Sequence, residues 1–171
     1  LILKLEHVKL TAIVSLDEAI PRSQHINKDW LTTVLKKKGA LVSGGIRNIV
    51  VDYSPSTNSQ IARIGVEYDG DARGDMPTGL ILKTVAADGG FVTNSEINYY
   101  SLDYLGLADA PIPKCYAVSV SDSDSYSVLM EDLSSTHEKD TTPTLEYGRA
   151  VAKALARLHA FSWGDQQINR L

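Results

Sequence analysis

The sequence predicts an α+β fold: a five-stranded antiparallel sheet with a packed helix, flanked by an N-terminal helix and a C-terminal linker helix. Three observations point there. Strand-like runs at 46–53, 60–68 and 79–85 follow one another across loops rich in Pro, Ser, Asn, Asp and Gly, the pattern of an antiparallel meander. A helix-start signal, Thr93-Asn94-Ser95-Glu96, then separates them from two further runs, 114–120 and 126–133. Helical patterns stand on either side, one opening at Asn27 and one running from about Thr142 to Phe161.

With 171 residues, 43% of them hydrophobic and 22% charged, and a net charge of -4, the chain has the size and balance of one globular domain. Nothing basic points to a nucleic-acid partner. Cys115 is the only cysteine, which excludes an intrachain disulfide and a cysteine-rich zinc site and suits a reducing interior. Lys4, Glu6, His7 and Lys9 interrupt the apolar patches near the start, and no run approaches the roughly 18 residues of a membrane span. The expectation is a cytoplasmic protein with no membrane partner and, since the first residue is Leu1, a piece of a longer chain.

Residues 1–20 alternate too irregularly to choose between strand and helix. Asn27 caps the first helix, Asp29 sits in its first turn, and Trp30, Leu31, Val34 and Leu35 form one apolar face. Lys36, Lys37 and Lys38 end it before Gly39, as the helix dipole favours, so this run is a helix terminus rather than an anion site. Gly44 and Gly45 mark a turn. The loop after the first strand contains Ser56, Thr57 and Asn58, whose hydroxyl and amide groups could cover phosphates or simply turn the chain, since the loop has no glycine. The loop 69–75 fails as a calcium site, with Arg73 where an oxygen ligand is needed and Leu80 where a glutamate is needed. Its Arg73-Gly74-Asp75 reads as a polar hairpin tip.

Lys83 stands inside the apolar run Gly79–Val85 and shares a strand face with Ile81 and Val85. It either snorkels to water or faces a cleft and holds an anion, oriented by a nearby carboxylate. Glu96, thirteen residues on, either caps its own helix or supplies that carboxylate. Ile97, Tyr100, Tyr104 and Leu105 form the buried stripe of this helix. Pro111 and Pro113 impose an extended approach to the fourth strand, 121–125 is a polar hairpin turn, and the fifth strand ends in Glu131, Asp132 and Leu133. In the last helix Pro143 belongs to the first turn, and Val151, Leu155, Leu158 and Ser162 share a face. His159 beside that face is expected to be packed or capping rather than a base.

Taken in order, several segments carry a resemblance. They are Ile20-Pro21-Arg22-Ser23 before Asp29-Trp30-Leu31, Leu82-Lys83, Glu96-Ile97-Asn98-Tyr99-Tyr100, Pro111-Ile112-Pro113-Lys114-Cys115-Tyr116, Leu129-Met130-Glu131-Asp132-Leu133, and the stretch from Ala154 to Asp165. In this order the chain resembles the amino-terminal lobe of an ecdysteroid-kinase-like phosphotransferase, a branch of the aminoglycoside and choline kinase superfamily with a protein-kinase-like fold. The resemblance covers about 20–165. It implies an N-terminal extension over 1–19, the lobe over 20–133, and over 134–171 the linker and helix leading to a C-terminal lobe. It implies that Lys83 holds the α- and β-phosphates of ATP, that Glu96 orients Lys83, and that Ser56, Thr57 and Asn58 cover the phosphates. Glu131, Asp132 and Leu133 would form the hinge that seats the adenine. The implied reaction is magnesium-dependent transfer of the γ-phosphoryl group to a small-molecule hydroxyl, a chemistry of positioning and charge neutralisation.

The chain departs from that family at the catalytic loop, His-Gly-Asp with an asparagine five residues after the aspartate, and at the later metal-binding aspartate. Neither is found here. Trp163-Gly164-Asp165 is not its equivalent, because the histidine is missing and Asn169 follows Asp165 by four residues. No catalytic residue is therefore assigned, and residues 1–171 are expected to bind nucleotide weakly and to transfer nothing. The competing reading is a non-catalytic α+β binding or scaffold module derived from such a lobe.

Overall fold

The computed structural model describes residues 26–55, 59–85, 95–101, 107, 110–120, 125–137 and 142–163. The first element is helix α1, Lys28–Lys37. The Asn27 side-chain oxygen accepts hydrogen bonds from the Asp29 and Trp30 amides at 3.1 and 3.0 Å, satisfying two donors that have no partner within the helix. At the other end Gly39 takes a φ of +77°. That left-handed turn lets the Gly39 amide reach the Lys36 carbonyl and the Ala40 amide the Leu35 carbonyl, at 3.0 and 2.9 Å. Lys36 and Lys37 occupy the last turn, as the dipole favours. Leu31, Val34 and Leu35 are buried.

The strands are β1 (Leu41–Ser43), β2 (Ile46–Pro55), β3 (Ser59–Tyr68), β4 (Arg73–Gly74), β5 (Gly79–Val85), β6 (Cys115–Val120) and β7 (Tyr126–Glu131). Helix α2, Ser95–Ser101, lies between β5 and β6, and helix α3, Leu145–Ser162, follows β7. Five strands form one antiparallel sheet in the order β2-β3-β5-β7-β6. The first three are the expected meander. After β5 the chain passes the place that β7 will fill, lays β6 at the far edge, and returns through β7 to pair with β5.

The two faces of the sheet carry separate apolar clusters. Leu80 and Leu82 of β5, Ala62, Ile64 and Val66 of β3, and Leu129 of β7 pack beneath Leu31, Val34 and Leu35 of α1. The opposite face holds Val118, Tyr126, Val128 and Met130, with Ile81 and Val85, against Ile97 and Tyr100 of α2. Alternation along each strand produces this division: Leu80 and Leu82 go to one side, Ile81 and Val85 to the other. A register shift between Cys115 and Ala117 breaks the alternation in β6, so Tyr116 and Ala117 both join the α1 cluster while Cys115 joins the other. Each fully buried leucine contributes about 1.5–3 kcal/mol of burial, so both faces contribute to holding the sheet.

The loop 69–75 is the exposed polar tip expected, Arg73, Gly74 and Asp75 included, except that one residue turns inward. Ala72 is buried, and β4 pairs with β1 as a second, two-stranded sheet. Gly74 makes this approach possible. Its φ is +136°, and a Cβ there would lie 2.4 Å from the Ala40 carbonyl oxygen. Gly74→Ala is therefore expected to destabilise the protein by about 2–3 kcal/mol, because backbone strain and the clash act together. Urea unfolding measures this, and an unchanged midpoint would mean that β4 does not sit against Ala40 in solution.

Two boundaries and one side chain differ from expectation. Helix α3 starts at Leu145, with the Thr144 hydroxyl accepting from the Tyr147 amide at 3.0 Å, so Pro143 precedes the cap rather than lying in the first turn. The fifth strand ends at Glu131, leaving Asp132 and Leu133 in the connection that follows. His159 is exposed in the last turn of α3, so of the packed and capping alternatives the packed one fails. Among the described residues no helix is long and apolar enough to cross a membrane.

Candidate functional site

Strand β5 sets the position of Lys83 through its partners. Ile61 of β3 and Val128 of β7 lie opposite it in register, and its side chain stands on the α2 side of the sheet. Among such neighbours an ammonium needs a counter-charge. Glu96, in the first turn of α2, provides it. The Lys83 Nζ donates to Glu96 Oε1 at 2.6 Å, and the two side chains are 29% and 27% exposed. The pair is thus reachable by solvent and ligand rather than sealed in the core. Of the two roles open to Glu96 in the sequence, the carboxylate partner is realised; 86–94, which include Thr93 of the predicted capping box, lie outside the described residues, as do Tyr104 and Leu105.

The other Glu96 oxygen is also engaged. The Tyr126 hydroxyl donates to Glu96 Oε2, thirty residues away in sequence. Burial raises the Tyr126 phenol well above its ordinary range, and the Glu96 carboxylate, as hydrogen-bond acceptor and as charge, raises it further, with Tyr100 adding to the effect. The phenol therefore stays protonated and keeps its role as donor. Tyr100 is raised as well, first by burial and then by Glu96. Tyr126 was legible in the sequence only as the first residue of a strand, because its importance depends on a contact between β7 and α2.

The segment after β7 is the second part of the site. The Glu131 amide donates to the Lys114 carbonyl at 2.9 Å, and the Asp132 amide to the Gly79 carbonyl at 3.1 Å. The Leu133 carbonyl accepts from the Thr136 and His137 amides at 3.0 and 2.9 Å. Asp132 is more than a solvated acid. Its Oδ1 accepts from the Ser134 amide at 2.9 Å and from the Ser134 hydroxyl, pinning the turn. Burial would raise the Asp132 carboxyl, but these two bonds and the Arg63 charge outweigh it and hold the carboxyl below its usual range. Of the backbone groups that could meet a planar ligand edge, the Asp132 carbonyl and the Leu133 amide carry no hydrogen bond among the described residues.

Gly79 and Ile81 join the two parts. They lie on the Lys83 face of β5, with Asp132 against Gly79: a Cβ at Gly79 would lie 3.3 Å from the Asp132 Cβ. Met130 is opposite Ile81 on one side and Arg63 on the other. Lys83 and Asp132 therefore border the same sheet face at successive positions along it, whereas Glu131, opposite Leu80 in register, stands on the α1 face. Ser56, Thr57 and Asn58 lie outside the described residues, so their predicted covering role is not represented. Among the described residues no group of three or more His, Cys, Asp or Glu side chains gathers as a metal site.

No protein-family model, no curated protein and no solved structure matches this chain.

Proposed function

We propose that this chain is the nucleotide-binding lobe of an ATP-dependent phosphotransferase that acts on a small-molecule hydroxyl. The observation that carries the reading is the partly exposed Lys83–Glu96 ion pair, which joins a strand to a helix and is set among the apolar side chains of Ile61, Ile81, Val85 and Val128. An ammonium has three N–H donors, so the bond to Glu96 leaves donors for phosphate oxygens while fixing the end of a flexible side chain. The α- and β-phosphates of ATP suit such a point charge. The apolar surface of Ile81 and Met130 offers a purine a place to lie, and the Asp132 carbonyl and Leu133 amide can meet its edge with one acceptor and one donor.

Magnesium would arrive on the ATP phosphates and neutralise charge there. The residues of this chain bind and orient; the base that takes the hydroxyl proton and the metal ligands belong, on this reading, to a carboxy-terminal lobe. On this reading the setting is intracellular, where ATP is supplied, with the cytoplasm the expected compartment for a chain with a single cysteine.

Thermal unfolding with and without magnesium-ATP tests the proposal. A ligand at a hundredfold excess over its Kd stabilises the folded state by about 2.7 kcal/mol, which for a domain of this size is a rise of about 5–10 °C. No rise at millimolar magnesium-ATP, repeated with the full-length protein, would favour the non-catalytic scaffold module instead.

A further inference from the structure

We propose that Tyr126 is a positioning residue for Lys83: its hydroxyl holds one carboxylate oxygen of Glu96 so that the other presents the Lys83 ammonium at one fixed place on the sheet. The inference rests on the nucleotide-binding reading for its consequence, but not for its geometry.

An ion pair between two long, partly exposed side chains is poorly fixed by itself, because both must give up rotamer freedom to hold one arrangement. Tyr126 changes that balance from the sheet side. Its ring is buried, at 6% exposure, among Val128, Met130 and Ile97, and it has only two side-chain torsions, so its hydroxyl sits on a rigid base. Tyr126 is opposite Val85 in register while Lys83 is opposite Val128, which makes Tyr126 and Lys83 diagonal neighbours on one face of adjacent strands. Glu96 bridges them, with Oε1 to the lysine and Oε2 to the tyrosine.

The charges are consistent with a persistent bond. Tyr126 is kept protonated by burial and by the carboxylate it serves, so the hydroxyl donates throughout the neutral range. Glu96, held from β7 as well as by Lys83, ties α2 to two neighbouring strands. A lysine anchored to so constrained a carboxylate meets an incoming phosphate with little of its freedom left to lose.

Tyr126→Phe keeps the ring and its packing and removes the hydroxyl. In the purified 171-residue protein, the Kd for magnesium-ADP is expected to rise about tenfold, the typical effect of one hydrogen bond. Binding of adenosine, which has no phosphate for Lys83 to hold, is expected to stay the same. Equal weakening of both ligands, or weakening of neither, overturns the positioning role. Absence of ADP binding by the wild-type protein instead overturns the nucleotide reading and the phosphate role with it. The bond itself is read separately by a tyrosine 13Cζ titration: Tyr126 should titrate above the ordinary tyrosine range, and Glu96→Gln, by removing the carboxylate charge, should move it down. A titration unmoved by Glu96→Gln overturns the Tyr126–Glu96 contact.

Discussion

Lys83→Met is expected to weaken magnesium-ATP binding about thirtyfold to a hundredfold while leaving the protein folded. The loss corresponds to removing a charge-assisted hydrogen bond to phosphate, about 2–3 kcal/mol. The fold should tolerate the change because methionine matches the lysine stem and suits surroundings made of Ile61, Ile81, Val85 and Val128. Glu96 loses its ion-pair partner but keeps the Tyr126 hydroxyl, and at 27% exposure it remains open to water. Isothermal titration gives the affinity, and urea unfolding shows whether stability has stayed within about 1 kcal/mol. Unchanged ATP affinity in a folded variant would mean that the lysine merely reaches solvent over an apolar face and that the phosphates are held elsewhere.

Leu82→Ala, one residue away on the opposite face, is expected to do the reverse and destabilise the fold by about 3–4 kcal/mol. Leu82 is 1% exposed and points into the α1 cluster. Its cross-strand neighbours are Ala62 and Leu129. Ala62 is too small to fill the cavity, and Leu129 is itself fully buried and held by the interior strand β7, paired on both sides, so the site collapses little. Val50→Ala serves as the control. Val50 is 65% exposed on β2, and its loss should lie within about 0.5 kcal/mol of zero. If Leu82→Ala unfolds within 1 kcal/mol of the parent, the α1 face of the sheet is not the packed layer described. The contrast between adjacent residues separates the two jobs of β5: one face anchors the sheet, and the other presents the lysine.

Much of the fold could be read locally because its signals are local. The strand β5 was legible to the residue, and β2 and β3 nearly so, since each is an apolar or alternating run bounded by turn residues. The Asn27 cap and the lysines before Gly39 announced both ends of α1. Local signals failed where two candidates compete within a few residues. Thr142 and Thr144 can each cap a helix, and Pro143 fits the first turn after Thr142 as well as the position before Thr144; the Tyr147 amide bonds Thr144. Strand β4 left no trace, because two residues carry no period and the pairing with β1 depends on Gly74 approaching Ala40.

The candidate site divides in the same way. Composition, periodicity and turn chemistry determined an α+β chain with five strands in a known sequence order, and they marked Lys83 as a charge inside an apolar run that either snorkels to water or faces a cleft. Tertiary structure alone decided that β7 lies between β5 and β6, that Glu96 turns to Lys83, and that Tyr126 takes the second carboxylate oxygen. It also decided which backbone groups at 131–133 are used by the sheet and which are left. The physical reason is range: capping and alternation act over a few residues and are written in the chain, whereas the partners of a half-buried charge are chosen by whichever polar groups the packed layers bring within hydrogen-bond reach.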